Sequence, residues 1–243
     1  MTDDRRASTN MWKLYKMGGI TPAIAAAFGD HNAQRMAFIR SMVKEQRKSS
    51  ILETPLAELE AVVFDLETTG FMPQSDEIIS IGGVWVEGER ILMDKTFYTL
   101  LKPMRSIPND IQKLTGIRDE DVSEAPTLIE GLQQFLAFVK KRVLIAHGTG
   151  HDKQFLNAAL WKTSRVRLSH TVLDTMHIGK WLQPSLKSFG LDELLNAYGI
   201  PIHHRHHALS DSLMTAQLWK CYIEQMKLKQ VWTVGDLYAY LSR

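Results

Sequence analysis

A single cysteine, Cys221, stands in 243 residues. It can make no internal disulfide, and without a second thiol no multi-cysteine zinc site can be built, so the chain reads as one kept in a reducing compartment. No run of eighteen or more apolar residues is present to span a bilayer. The first stretch, MTDDRRASTNMWKLYK, has neither the apolar core nor the cleavage site of a secretory leader. A cytoplasmic protein with no membrane partner is therefore expected. Charge of one sign is also scarce: the net value is +2, too small to announce a nucleic-acid binder by itself. Its distribution is uneven, because residues 1–50 hold nine Lys/Arg against four Asp/Glu while the remainder leans acidic. Internal repeats and low-complexity tracts are missing as well.

What is present is enough apolar residue, 44%, to bury a full core, in one large domain or a domain with an appendage. Residues 21–48 read as helices. Thr21-Pro22 offers a capping hydroxyl before a first-turn proline, AIAAAF follows, Gly29-Asp30 is expected to interrupt, and a second helix starts near Asp30. On it Met36, Ile39, Met42 and Val43 share one stripe, while Arg40, Lys44 and Arg47 share another. The basic stripe is either a solvated face or a surface for nucleic acid. A basic helical extension and linker is placed at 1–56, the main domain at 57–230 and a helical tail at 231–243.

From residue 61 the period changes. A strand at 61–66 precedes two β-rich runs joined at Gly88 in EGER. A short helix ending at Gly116 and a longer one at about 127–140 come next, then the strand RVLIAH and a helix at about 152–163. A short strand near 171–174 is followed by helices near 175–182, 190–198 and 207–227. A meander followed by alternating strands and helices predicts an α/β fold with a mixed sheet.

The stretch AVVFDLETTGF at 61–71 poses the chemical question. Residues i and i+2 of a strand share a face, so Asp65 and Glu67 stand side by side where an apolar strand ends. Unpaired and partly buried, they repel and raise one another's pKa; with no Lys or Arg in the segment, a divalent cation is the economical partner, and oxygen ligands favour Mg²⁺ or Mn²⁺. Two further segments end in acids. VLIAHGTGHDKQFL carries His147 and Asp152, and HHRHHALSDSLMTAQLW sets His206 five residues before Asp211. Acids at the ends of separate elements can converge on one site.

These three segments resemble the motifs of the DEDDh (DnaQ-like) family of 3'-to-5' exonucleases, whose members include the epsilon proofreading subunit of bacterial DNA polymerase III. FDLETTG is similar to the first motif, IAHGTGHDKQFL to the second and HHALSDSLMTA to the third, and the resemblance extends over roughly residues 60–225. It implies a ribonuclease H-like fold: a mixed five-stranded sheet flanked by helices, here with an N-terminal helical extension. It also implies that Asp65, Glu67, Asp152 and Asp211 bind two Mg²⁺ or Mn²⁺ ions, with His206 as the general base. Thr68, Thr69 and Leu114 would lie against the 3'-terminal nucleotide. The implied reaction is release of nucleoside 5'-monophosphates from the 3' end of a single strand, DNA in preference to RNA, with a DNA polymerase subunit as a potential partner. An imidazole can take a proton from water at neutral pH, and two metals can neutralise the phosphate and stabilise the leaving 3'-oxygen. The chain departs from the family pattern at Gly148 and His151, where asparagine and phenylalanine are usual.

Other readings compete. RNA 3'-end trimming uses the same residues. A haloacid-dehalogenase phosphatase also starts from a strand ending in aspartate, but it wants aspartate where Glu67 stands and has no work for the His206 to Asp211 spacing. A catalytically silent interaction module would be expected to have lost an acid. The histidines at 203, 204, 206 and 207 invite a zinc or nickel site, ranked below the base role of His206. Asp174 reads as a turn residue and His147 as a structural histidine. Trp161, Trp181, Trp219 and Trp232 read as core. QMKLK at 225–229 resembles a sliding-clamp peptide only faintly, and no clamp binding is expected.

Overall fold

The computed structural model describes residues 22–46 and 51–242. Thr21 and Arg47, which the sequence reading used, lie outside them. Helix α1 spans Pro22–Gln46 without a break, so Gly29-Asp30 does not interrupt it. A helical glycine costs about 1 kcal/mol relative to alanine, and tertiary burial of one face offsets that. Ile39 and Val43 are buried, Met36 and Met42 partly so, while Arg40 and Lys44 are exposed.

After a 3-10 turn at Leu56–Glu58 come β1 (Glu60–Thr68), β2 (Ile78–Glu87) and β3 (Arg90–Leu100). Gly88, at φ 57, makes the β2–β3 turn in a left-handed conformation that glycine adopts without penalty. Then follow α2 (Asn109–Thr115), closed by left-handed Gly116, α3 (Asp119–Val122) and α4 (Leu128–Val139). The chain continues through β4 (Val143–Ala146), α5 (Gly150–Ser164), β5 (Val172–Asp174), α6 (Thr175–Leu182), α7 (Leu191–Ala197), α8 (Ala208–Leu228) and α9 (Val234–Leu241). The sheet order is β3-β2-β1-β4-β5, with β1 antiparallel to β2 and parallel to β4. This is the expected mixed five-stranded sheet with helices on both faces.

Alternation along β1 sorts the core. Ala61 and Val63 join Trp219, Tyr222 and Met226 of α8, while Val62, Phe64 and Leu66 face Phe135 of α4, Phe155 of α5 and Ile39 of α1. Asp65 and Glu67 share the parity of Ala61 and Val63, which aims them at the side of the sheet that α8 covers. Helix α1 is fixed to the body by Ile39, by the Arg35–Glu130 pair at 2.9 Å and by Arg40 Nε donating to the Ser164 carbonyl at 2.9 Å. Helix α9 adds Val234 and Leu237 to the α8 side of the core, and Thr233 forms a β-bridge with Pro55. Of the tryptophans, Trp219 is fully buried and Trp181 packs at the core's edge, whereas Trp161 and Trp232 are 51% and 55% exposed, contrary to the core role expected of them. Trp161 lies on the outer side of α5, and Trp232 lies in the loop before α9 rather than on a helix.

One close approach sets the height of α8 over the sheet. Gly82 on β2 is the register partner of Asp65, and a Cβ placed on it would come within 2.2 Å of the Ala208 carbonyl carbon and the Leu209 nitrogen, at the start of α8. Backbone cannot yield as a side-chain tip can. Gly82→Ala is expected to cost about 2 kcal/mol and to lower Tm by roughly 5 °C. Calorimetry checks this, and an unchanged Tm would mean that α8 is free to slide.

Candidate active site

Strand β1 delivers Asp65 and Glu67 two residues apart, and the first turn of α8 delivers Asp211. One oxygen from each of the three lies within 4.8 Å of the others. Glu67 is 8% exposed and Asp211 4%; Asp65 keeps a partial opening to solvent. Asp152, expected to open its helix, sits in the first turn of α5, which begins at Gly150. It is 4% exposed, and the nearby Leu66 backbone amide favours its charged form against the desolvation that raises its pKa. Asp152 stands beside the trio rather than in it, yet its charge acts on Asp65 more strongly than that of Glu67 or Asp211.

The energetic state of this cluster follows from its burial. Desolvation is the first cause of every shift: it holds Asp65 well above the ordinary carboxylate range, Glu67 at about 8 and Asp152 at about 7. Asp211 is also raised by burial, against the opposing pull of Arg205 and the His206 amide. Arg205 donates from Nη1 to Asp211 Oδ2 and from Nε to Asp192 Oδ1. The His206 amide donates to the same Oδ2 at 3.0 Å. Oδ1 of Asp211 is buried with no hydrogen-bond partner among the described residues. An orphaned buried carboxylate oxygen beside two more carboxylates fits a hard divalent cation, and the all-oxygen donor set suits Mg²⁺ or Mn²⁺. None of the four clustered histidines joins this metal-competent group among the described residues; His207 stacks on Tyr98 with ring centroids 4.6 Å apart.

Neighbouring residues hold the segments in place. Asp174 accepts the amides of Gly148, Thr149 and Met176 and the Thr149 hydroxyl, tying the β4–α5 turn to the start of α6. That is a turn role, and it fixes the segment that carries Asp152. His147 is satisfied on both sides, by Thr175 Oγ1 at 2.9 Å and the Phe189 carbonyl at 3.0 Å. Gly148, at φ 67, adopts a left-handed conformation that asparagine also tolerates, consistent with the usual family residue there. The His151 ring packs between Phe71 and Phe155, its Nε2 3.4 Å from Thr68 Oγ1.

Thr69 is buried, its hydroxyl accepting the Glu77 amide at 3.0 Å, and Thr68 donates to the Gly70 carbonyl. Leu114 is 45% exposed and lines a groove of about 620 Å³ with Lys113, His204, Arg205 and His207. His206 is half-buried at φ 61 on the turn entering α8. Arg205, in the middle of the histidine run at 203–207, carries no sequence signal of its role, because its partner Asp192 comes from a separate helix.

The raised carboxylates fix a pH dependence. In the folded chain Glu67 keeps its proton to about pH 8 and Asp152 to about 7, whereas unfolded carboxyls lose theirs above about 4.5. The folded state therefore holds extra protons in between, and its stability falls as pH rises from about 5 to 8. Burial lowers the pKa of His147 and His170, which opposes this trend at the acid end and leaves the upper half of the window as the clearest range. In chelator, Tm is expected to drop between pH 6.5 and 8, with a shallower slope in Glu67→Gln; thermal melts decide, and a flat wild-type profile would contradict the burial account.

A family model described as "Exonuclease" (RNase T) matches residues 62–219. The DNA polymerase III subunit epsilon of Aquifex aeolicus is 31% identical over 81% of this chain and 96% of its own length. A PolC-type DNA polymerase III of Caldanaerobacter subterraneus subsp. tengcongensis is 35% identical over 76% of this chain, but this chain spans only 13% of that relative. Among solved structures, Exonuclease X in complex with 5' overhanging duplex DNA superimposes with a TM-score of 0.58 at 20% identity, covering 74% of this chain and 99% of that one. E. coli Exonuclease I in complex with a dT13 oligonucleotide gives 0.61 at 16% identity over 71% of this chain and 42% of that one. The fold is thus the ribonuclease H-like fold of these nucleases. With the model spanning the sheet and all three acid-bearing segments, the chain belongs to the RNase T (DnaQ-like) exonuclease family.

Proposed function

We propose that this protein is a 3'-to-5' exonuclease that releases nucleoside 5'-monophosphates from the 3' end of single-stranded DNA. Asp65, Glu67, Asp152 and Asp211 hold two Mg²⁺ or Mn²⁺ ions in this reading. The observation that carries it is the buried trio of carboxylates with the unpartnered Asp211 Oδ1. When bound, the cations supply neutralisation of the non-bridging phosphate oxygens, a more acidic water and a stabilised leaving oxygen.

The chain's own residues do the remaining work. His206 accepts a proton from the attacking water as the new bond to phosphorus forms and the bond to the 3'-oxygen breaks. The expelled 3'-oxygen ends as the hydroxyl of the shortened strand, and the detached nucleotide keeps its 5'-phosphate. Leu114 offers the terminal base an apolar surface at the groove, with Lys113 beside it for the backbone. The backbone at Thr68 and Thr69 lines the approach to the acids.

DNA is favoured as substrate because the relatives are DNA polymerase III chains and the structural neighbours Exonuclease X and Exonuclease I are complexes with DNA. A proofreading role beside a DNA polymerase subunit follows from the same relatives. Among the described residues no helix is long and apolar enough to cross a membrane. The likeness to bacterial DNA polymerase III chains is the ground on which we place the protein in the cytoplasm. RNA 3'-end trimming and a silent interaction module are the alternatives that the test separates.

Purified protein is given 5'-labelled single-stranded DNA and the matching RNA, with Mg²⁺, Mn²⁺ or chelator. A ladder shortening from the 3' end of DNA, abolished by chelator, is expected. Asp65→Ala should slow it by roughly 10³-fold, and His206→Ala by about 10²- to 10⁴-fold. Preferential loss of RNA would establish trimming instead. Internal cuts, chelator-resistant degradation or no degradation of either strand would overturn the reading.

A further inference from the structure

Arg205 has no part in the chemistry just described, yet it is bonded to one of the acids that the chemistry needs. Its guanidinium sits between two carboxylates of opposite character: Asp211, whose side chain is 5% exposed, and Asp192, in the first turn of α7 and 51% exposed. The two oxygens of Asp211 are unequal. Oδ2 accepts from Arg205 and from the His206 amide, while Oδ1 accepts from nothing among the described residues.

Resting on the metal-dependent reading above, we propose that Arg205 is a tethered counter-cation. It neutralises Asp211 while that carboxylate binds no metal, is displaced by a divalent cation arriving there, and passes wholly onto Asp192.

Three observations support this. Arg205 Nη1 holds Oδ2 of Asp211, an acid of the metal-competent trio, so a guanidinium that keeps its charge at every relevant pH opposes an arriving cation through one shared carboxylate. Asp192 already holds Nε, so release from Asp211 leaves Arg205 with an acid partner at the rim. Third, the turn that carries Arg205 needs support. His204 and His206 on either side of it stand at φ 42 and φ 61, left-handed values that non-glycine residues keep only when their surroundings impose them. The bonds from Arg205 and the His206 amide to Asp211, with Ser210 Oγ donating to the His203 carbonyl at 2.6 Å, provide that support. Removing the Arg205 bond loosens the turn that carries His206, which links metal loading to the placement of the base.

The test is a calorimetric titration of the full chain with Mn²⁺, without nucleic acid, at fixed pH and ionic strength. Arg205→Ala is expected to bind Mn²⁺ about tenfold more tightly than wild type, with Arg205→Gln, which keeps hydrogen-bonding capacity without charge, moving the same way. Asp192→Asn, which leaves the guanidinium only Asp211, is expected to weaken binding about fivefold. Lys113→Ala removes a cation from the same groove, and should shift the affinity by less than about twofold because exposed charges are screened. Unchanged or weaker binding in both Arg205 variants, beside a wild type that binds, overturns this inference and leaves the nuclease reading standing. An equal gain in Lys113→Ala reduces the effect to general electrostatics and overturns it too, and an unchanged Asp192→Asn removes the swing. A wild type that binds no Mn²⁺ overturns the metal reading itself.

Discussion

Repulsion among buried carboxylates is the constraint on which the rest of this structure depends. Asp65, Glu67 and Asp211 each place an oxygen within 4.8 Å of the others, and Asp152 adds a fourth charge beside them. Water that would ordinarily screen them is largely excluded, so the folded chain answers by holding protons, and through Arg205 by lending one positive charge. Neither response satisfies Asp211 Oδ1. In a site left this unfavourable by its own residues, a divalent cation would relieve several repulsions at once, which is the physical ground for the proposed metal dependence.

The scaffold pays for that arrangement with apolar burial on both faces of the sheet. On one side α8 lays Trp219, Tyr222 and Met226 over β1 and β2, which puts Asp211 above Asp65 and Glu67. Gly82 permits the approach, because a side chain there would strike the backbone at the start of α8. On the other side α1, α4 and α5 enclose Phe64, Phe135 and Phe155, and the first turn of α5 brings the charge of Asp152 to bear on Asp65. The carboxylates come from three elements, each anchored by its own core contacts, so the cluster's repulsion is borne by the whole sandwich rather than by one loop.

Much of this was legible in the sequence, for identifiable reasons. Period-two alternation put Asp65 and Glu67 on one strand face, and the glycines at 88 and 116 marked a hairpin and a helix end through their backbone freedom. The amphipathic run after Ala208 announced α8 and the early position of Asp211. Less was legible where tertiary contact overrode local preference. Gly29 suggested a break that α1 does not have, because a helical glycine is a modest local cost and the helix is docked through Ile39 and Val43. Trp161 and Trp232 gave no sequence sign that they would end up half exposed. The contact of Arg205 with both Asp192 and Asp211 joins residues from two helices and the turn between them, and no periodicity encodes it.

Anomalous scattering from crystals grown with Mn²⁺ would test the central claim most directly, since it locates cations without reference to activity. The account predicts two peaks about 3.5–4 Å apart, set among Asp65, Glu67, Asp152 and Asp211. No peak there at millimolar Mn²⁺, or a peak only among the histidines at 203–207, would contradict it.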